Sequence, residues 1–140
     1  MIEVISVCLA IVLGSVAVLH VFWAFGGSWG RAAAIPERGG KRVFTPSRTV
    51  TLLVAAALLI AAGCAVARGG VLAAIGTGPV AQVGCWALTA VFGVRAIGEG
   101  KYVGFTKRVR NTTFARNDTW IYSPLCALLA AGFLTLALGR

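Results

Sequence analysis

Residues 4–25 read VISVCLAIVLGSVAVLHVFWAF, with Ser6, Ser15 and His20 as the polar interruptions. A helix that crosses a bilayer needs about 20 mostly apolar residues. A helix on the surface of a soluble domain keeps a polar face, and this run has none. It therefore predicts a membrane span. Nor does it read as a cleaved leader: Glu3 stands where a basic segment would lie, the run is too long, and no small-x-small cleavage site follows.

Working outward, three more runs qualify, at 46–67, 79–97 and 119–138. The expected fold is all-α: an integral membrane, antiparallel four-helix bundle forming a single four-span domain over 1–140. Helix limits are marked by proline at a first turn and glycine past an end. Thr45-Pro46, Gly78-Pro79 and Ser123-Pro124 each place proline after a residue able to cap. The last is ambiguous. A helix starting at Pro124 leaves about 15 residues, roughly 22 Å at 1.5 Å each, too short to span. A helix capped by Asp118 is long enough, but Pro124 then loses one hydrogen bond and its ring meets the carbonyl of Trp120. The longer helix with a bend near Pro124 is the reading adopted.

Composition agrees. Of 140 residues 59% are hydrophobic and 12% charged, against about 25% charged in an ordinary soluble domain. Disorder, collagen, a disulfide scaffold and an ordinary water-soluble enzyme are excluded. The charge is lopsided: Lys+Arg 13 against Asp+Glu 4, net +9. Nucleic-acid binding would want these cations on a water-exposed groove. Instead Arg31, Arg38, Lys41, Arg42 and Arg48 follow the first span. Lys101, Lys107, Arg108, Arg110 and Arg116 follow the third, with Arg95 at its edge, while Arg68 and Arg140 lie on the other side. The positive-inside rule then puts both termini outside a plasma (inner) membrane, and the bias argues against dual topology. The expected partners are the bilayer and anionic lipid at its inner face, with no nucleic acid. Small-x-x-x-small pairs such as Ala10/Gly14, Ala57/Ala61 and Ala127/Ala131 favour close helix packing and leave a homo-oligomer or a membrane-protein partner open.

Between spans three and four, Tyr102, Phe105 and Val109 recur at i, i+3 and i+7 among basic residues. That spacing predicts a short helix lying in the interface.

Polar groups within membrane helices are costly and mark candidate sites. His20, Trp23, Arg95, Glu99, Tyr102, Asp118 and Tyr122 come from three helices and share one depth near the basic side. Arg95 and Glu99, four apart, read first as a self-neutralising pair. Alternatively Arg95 snorkels and Glu99 meets His20 or a ligand. Asp118 reads as an N-cap and Tyr122 as an interfacial anchor. A lone histidine builds neither a multi-ligand metal site nor bis-histidine haem within one chain, so no metal and no cofactor is expected. Cys8, Cys64, Cys85 and Cys126 form no C-x-x-C pair, which disfavours a thiol oxidoreductase. No Walker loop, G-x-S-x-G, H-E-x-x-H or paired acid is present.

The blocks His20-Val21-Phe22-Trp23-Ala24-Phe25-Gly26-Gly27, Ile35-Pro36, Arg95-Ala96-Ile97-Gly98, Tyr102-Val103-Gly104-Phe105, Thr113-Phe114-Ala115, Asp118 and Tyr122-Ser123-Pro124-Leu125-Cys126 resemble a family of small four-span bacterial membrane proteins classed as a domain of unknown function. The resemblance implies a four-span membrane protein and carries no activity with it. Three functions stay open. One is binding or passing a small ligand or a proton through the basic-side cluster. Another is an accessory subunit holding another membrane protein and anionic lipid. The last is an isomerase-like enzyme on a lipid-like substrate, with Glu99 or His20 moving a proton.

Overall fold

In the computed structural model, which describes residues 1–71 and 78–139, each apolar run is helical. Helix α1 spans Ile2–Ala24. A single helical turn α2 (Arg31–Ala34) follows, then a hairpin of β1 (Glu37–Arg38) and β2 (Lys41–Arg42), with Glu37 opposite Arg42. Next come α3 (Arg48–Arg68), α4 (Pro79–Ile97), α5 (Thr113–Asn117) and α6 (Ser123–Leu138). Asp118–Tyr122 joins α5 to α6 as a π turn, so the last helical stretch runs from Thr113 to Leu138. At 1.5 Å per residue, the 23 residues of α1 and the 19 of α4 reach about 34 and 28 Å, enough for a hydrocarbon core of about 30 Å.

The four long helices pack antiparallel. Helix α1 lies on α3 and α4 on α6, and contacts of α3 with α4 and of α1 with α6 close the bundle. Leu13, Ala65, Cys85, Phe133 and Leu136 are fully buried at its centre. Phe92 stacks on Phe133 at 5.8 Å, nearly coplanar. Glycine permits the closest approaches. A Cβ on Gly84 would come within 2.6 Å of Cys64 Sγ on α3, and one on Gly132 within 2.9 Å of Leu9 on α1. The outward faces are as apolar as the core: Ile11, Val18, Ile60, Val80 and Leu128 are 62–84% exposed. Such a surface suits lipid rather than water.

At the end away from the basic loops, Arg68 Nη2 donates to the carbonyl of Gly139, and Gln82 Nε2 donates to Ala137 at 3.2 Å. The last carbonyls of a helix lack intrahelical donors. Here two neighbouring helices supply them. Arg140, the other cation assigned to that side, lies outside the described residues.

Three expectations need correction. Pro79 opens α4 after Gly78 as predicted, but Pro46 lies outside α3. Ser47 is the cap, its Oγ accepting from the Val50 N–H at 3.2 Å, and the helix starts at Arg48. The fourth helical stretch starts at Thr113 rather than 119. The Thr112 hydroxyl caps it by accepting from Ala115 N–H at 3.0 Å, which puts Asp118 inside the helix. The conflict at Pro124 is resolved by the π turn: the Ser123 N–H reaches back five residues to the Asp118 carbonyl. The wider turn relieves the α-helical spacing that would press the proline ring on Trp120.

The interfacial helix expected around Tyr102 to Val109 does not form. Gly98 and Gly104 take φ of +88° and +82°, where residues with a Cβ are strained. The chain doubles back between them, and a Cβ on Gly98 would collide with the Val103 carbonyl. Phe105 N–H then donates to Ala96 O at 2.9 Å, and Thr106 N–H to Ile97 O at 3.1 Å. The loop thereby caps α4.

This geometry sets an order for alanine substitutions. At Gly100, with φ +81° and open space around it, alanine costs only the positive-φ strain of about 1–2 kcal/mol. At Gly104, alanine also meets the backbone of Ile97 and Gly98. Thermal unfolding in detergent should show a clearly larger loss for Gly104→Ala than for Gly100→Ala.

Candidate functional site

The loop closure delivers two groups to Asp118. Its Oδ2 accepts from Gly104 N–H at 2.8 Å, Lys107 Nζ at 3.0 Å and Ser123 Oγ at 3.1 Å. Its Oδ1 accepts from Arg95 Nη2 at 2.9 Å. Asp118 is fully buried, the Lys107 side chain is 2% exposed and that of Arg95 is 35% exposed. Lys107 also donates to the Gly104 carbonyl at 2.9 Å. Burying a lone carboxylate costs several kcal/mol, and ion pairs offset that only when the remaining hydrogen bonds are met. Here α4, the loop and Ser123 together supply four donors to the carboxylate, while the other terminal guanidinium nitrogen, Arg95 Nη1, is buried without a partner. The triad keeps one net positive charge, on the side of Arg95.

The seven candidate residues do not form one cluster. Arg95 does not pair with Glu99, because α4 ends at Ile97 and the helical i, i+4 relation ends with it. Glu99 Oε1 instead accepts from Tyr102 N–H at 2.8 Å, and the Tyr102 ring lies under Lys101 Nζ at 5.1 Å. Asp118 is not an N-cap. Tyr122 is more than an interfacial anchor: its hydroxyl donates to the Ala33 carbonyl of α2 at 3.2 Å, and its ring leans on Phe114 at 6.0 Å. Trp120, next to it, is 78% exposed.

His20 and Trp23 lie in a second place. They line a cavity of about 350 Å³ with Arg31 and Ala34 of α2, Ile35, Phe44 and Pro46 of the first basic loop, and Val50, Thr51 and Val54 of α3. Small-ligand sites hold about 300–1,000 Å³. His20 Nδ1 lies 2.8 Å from the Val16 carbonyl. Since a carbonyl only accepts, Nδ1 carries the proton, which leaves Nε2 of the neutral ring as an acceptor. The ring sits 5.1 Å from that of Trp23, whose Nε1 donates to the Trp29 carbonyl at 2.7 Å. The wall is apolar apart from His20, Arg31 and Thr51, and it holds no carboxylate.

Residues 13–133 match the family described as "Protein of unknown function (DUF3995)". The chain belongs to that family. No curated protein and no solved structure matches it. The range shared with DUF3995 runs from the middle of α1 into α6, so it holds the Asp118 triad and the His20 cavity alike.

Several site residues escaped the sequence reading of this DUF3995 member. In the sequence Lys107 reads as one more of the lipid-facing cations. The one hint against that was the pair Gly98 and Gly104, which disfavours a helix. Gly104 and Ser123 act through a backbone N–H and a hydroxyl, groups with no motif. Arg31 reads in the sequence as an orientation charge alone. Among the described residues, no group of three His, Cys, Asp or Glu side chains comes together to hold a metal, and the four cysteines are free thiols.

Removing one partner of a buried ion pair costs about 3–5 kcal/mol. Asp118→Asn, which leaves Lys107 buried without its counter-charge, should lower the thermal midpoint in detergent sharply. Lys107→Met, which strands part of the carboxylate, should do the same. Arg116→Ala, at an exposed position, should leave it unchanged.

Proposed function

We propose that this DUF3995 protein is a multi-pass plasma-membrane binding protein, and that its ligand is a small amphipathic molecule with an acidic head. The observation that carries this is the His20 cavity, an apolar chamber of about 350 Å³ whose polar lining is a histidine, an arginine and a threonine. The apolar wall suits a short hydrocarbon body. Arg31 supplies a fixed positive charge for an acidic head, and His20 Nε2 supplies an acceptor for a hydroxyl or protonated acid. The Asp118 triad, with both carboxylate oxygens held by the protein's own donors, is on this reading the frame of the site and not a place where ligand binds. An acid–base pair of Glu99 with His20, which an isomerase would use, gains no support, since Glu99 does not line the cavity.

The cavity lies against the first basic loop, and the positive-inside rule makes that the cytoplasmic end, with both termini outside. Reporter fusions at either terminus should be active only as periplasmic or external reporters. Activity of a cytoplasmic reporter at either end would reverse the orientation.

Decanoate and decanol test the ligand class in the reconstituted protein. The wild type should bind decanoate more tightly than decanol. Arg31→Ala should abolish that preference, with a loss of about tenfold for the acid, the equivalent of one charge-assisted hydrogen bond. His20→Ala should weaken both. Equal binding of both probes by wild type and Arg31→Ala would refute the assignment.

A further inference from the structure

We infer a second, separate site: a basin of about 440 Å³ between the two basic loops that recognises a phosphoryl group. Arg38, Lys101 and Arg108 line it, together with Glu99. The basin shares no residue with the His20 cavity and does not depend on it.

The convergence is built by the fold. Arg38 ends strand β1, and Gly39 and Gly40, with φ of +58° and +75°, turn the chain back into β2. Paired positive φ values are what a tight two-residue hairpin requires. In the other loop the Lys101 carbonyl accepts from both Arg108 N–H at 3.1 Å and Val109 N–H at 3.0 Å. That double bond to the backbone holds Lys101 beside Arg108. Lys107, their neighbour in sequence, is turned inward and paired with Asp118, which anchors the loop between them.

The charges in the basin are unbalanced. Among the described residues the ion pairs are those of Asp118 with Arg95 and with Lys107. Arg38, Lys101 and Arg108 have no carboxylate of the described residues within pairing distance. Glu99, the basin's acid, is held by Tyr102 N–H through Oε1. Three cations against one anion leave the basin at +2. Two guanidinium forks and an ammonium meet the oxygens of a phosphoryl group with charge-assisted hydrogen bonds. Simple orientation by positive charge requires no convergence: Lys41 and Arg42 serve that purpose equally well from the exposed strand next to Arg38. Two sources carry this chemistry, an anionic lipid headgroup and free phosphate.

The test uses full-length protein in phosphatidylcholine nanodiscs, with two probes in separate arms: dioleoyl phosphatidic acid added to the lipid, and inorganic phosphate added to the buffer. Native mass spectrometry reads bound lipid, and ³¹P line broadening reads bound phosphate. The wild type should bind in at least one arm, and that arm identifies the source. Arg38→Ala with Arg108→Ala should weaken binding about tenfold or more, given about 1 kcal/mol per basic residue at an anionic surface. Lys41→Ala with Arg42→Ala, which removes the same amount of charge from the hairpin outside the basin, should change it less than twofold. Glu99→Gln, which raises the basin to +3, should tighten it. Binding in neither arm overturns the site. So does equal loss in the two double variants, since that would reduce the effect to general surface charge.

Discussion

A single carboxylate shut away from solvent sets the terms for the rest of this protein. Asp118 is tolerable at its depth only because Arg95, Lys107, the Gly104 N–H and Ser123 all reach it. Each donor constrains a different piece of chain. Arg95 ties the end of α4 to the last helical stretch. Lys107 and Gly104 pull the second basic loop inward, which forces the crossing at Gly98. Ser123 belongs to the turn in which the helix widens. The same turn carries Tyr122, and Tyr122 holds α2 through the Ala33 carbonyl. Helix α2 in turn provides Arg31 and Ala34 to the cavity wall. The cavity is thus shaped by an ion triad that contributes none of its lining.

The four spans were legible because a bilayer is an undemanding reader: length and apolar content suffice. The start of α4 at Pro79 was legible as well. The basic loops were not, for two physical reasons. A lysine that snorkels and a lysine that is buried look the same in a string of letters, and only the three-dimensional position of Asp118 separates Lys107 from Arg108. Apolar spacing at i, i+3 and i+7 also counts for little where glycines at 98, 100 and 104 adopt positive φ and break the helix. In the sequence Arg95 reads as the partner of Glu99, but its acid is Asp118. Glu99 was near in sequence, and Asp118 is near in space.

Dividing the expected cluster in two changes what the basic charge signifies. Part of it is internal currency, spent on Asp118. Part of it, on the hairpin and on the outer edge of the second loop, stays unpaired and meets in one basin. Counting cations by side of the membrane merges these two populations, although only the second is free to recognise anything.

The π turn at Asp118–Tyr122 carries one residue more than an α-helical turn of the same rise would. Every residue after it is therefore rotated by about 100° relative to an uninterrupted helix. This phase offset lets one continuous rod aim Asp118 at the loops and Phe133 at the bundle core. Among natural or engineered relatives, the tolerated changes in length should therefore avoid the interval from Ser123 to Phe133. A single deletion in that interval would turn one end of the rod or the other away from its partners, whereas loss of one residue within the turn itself would return it to α-helical spacing with both ends in phase.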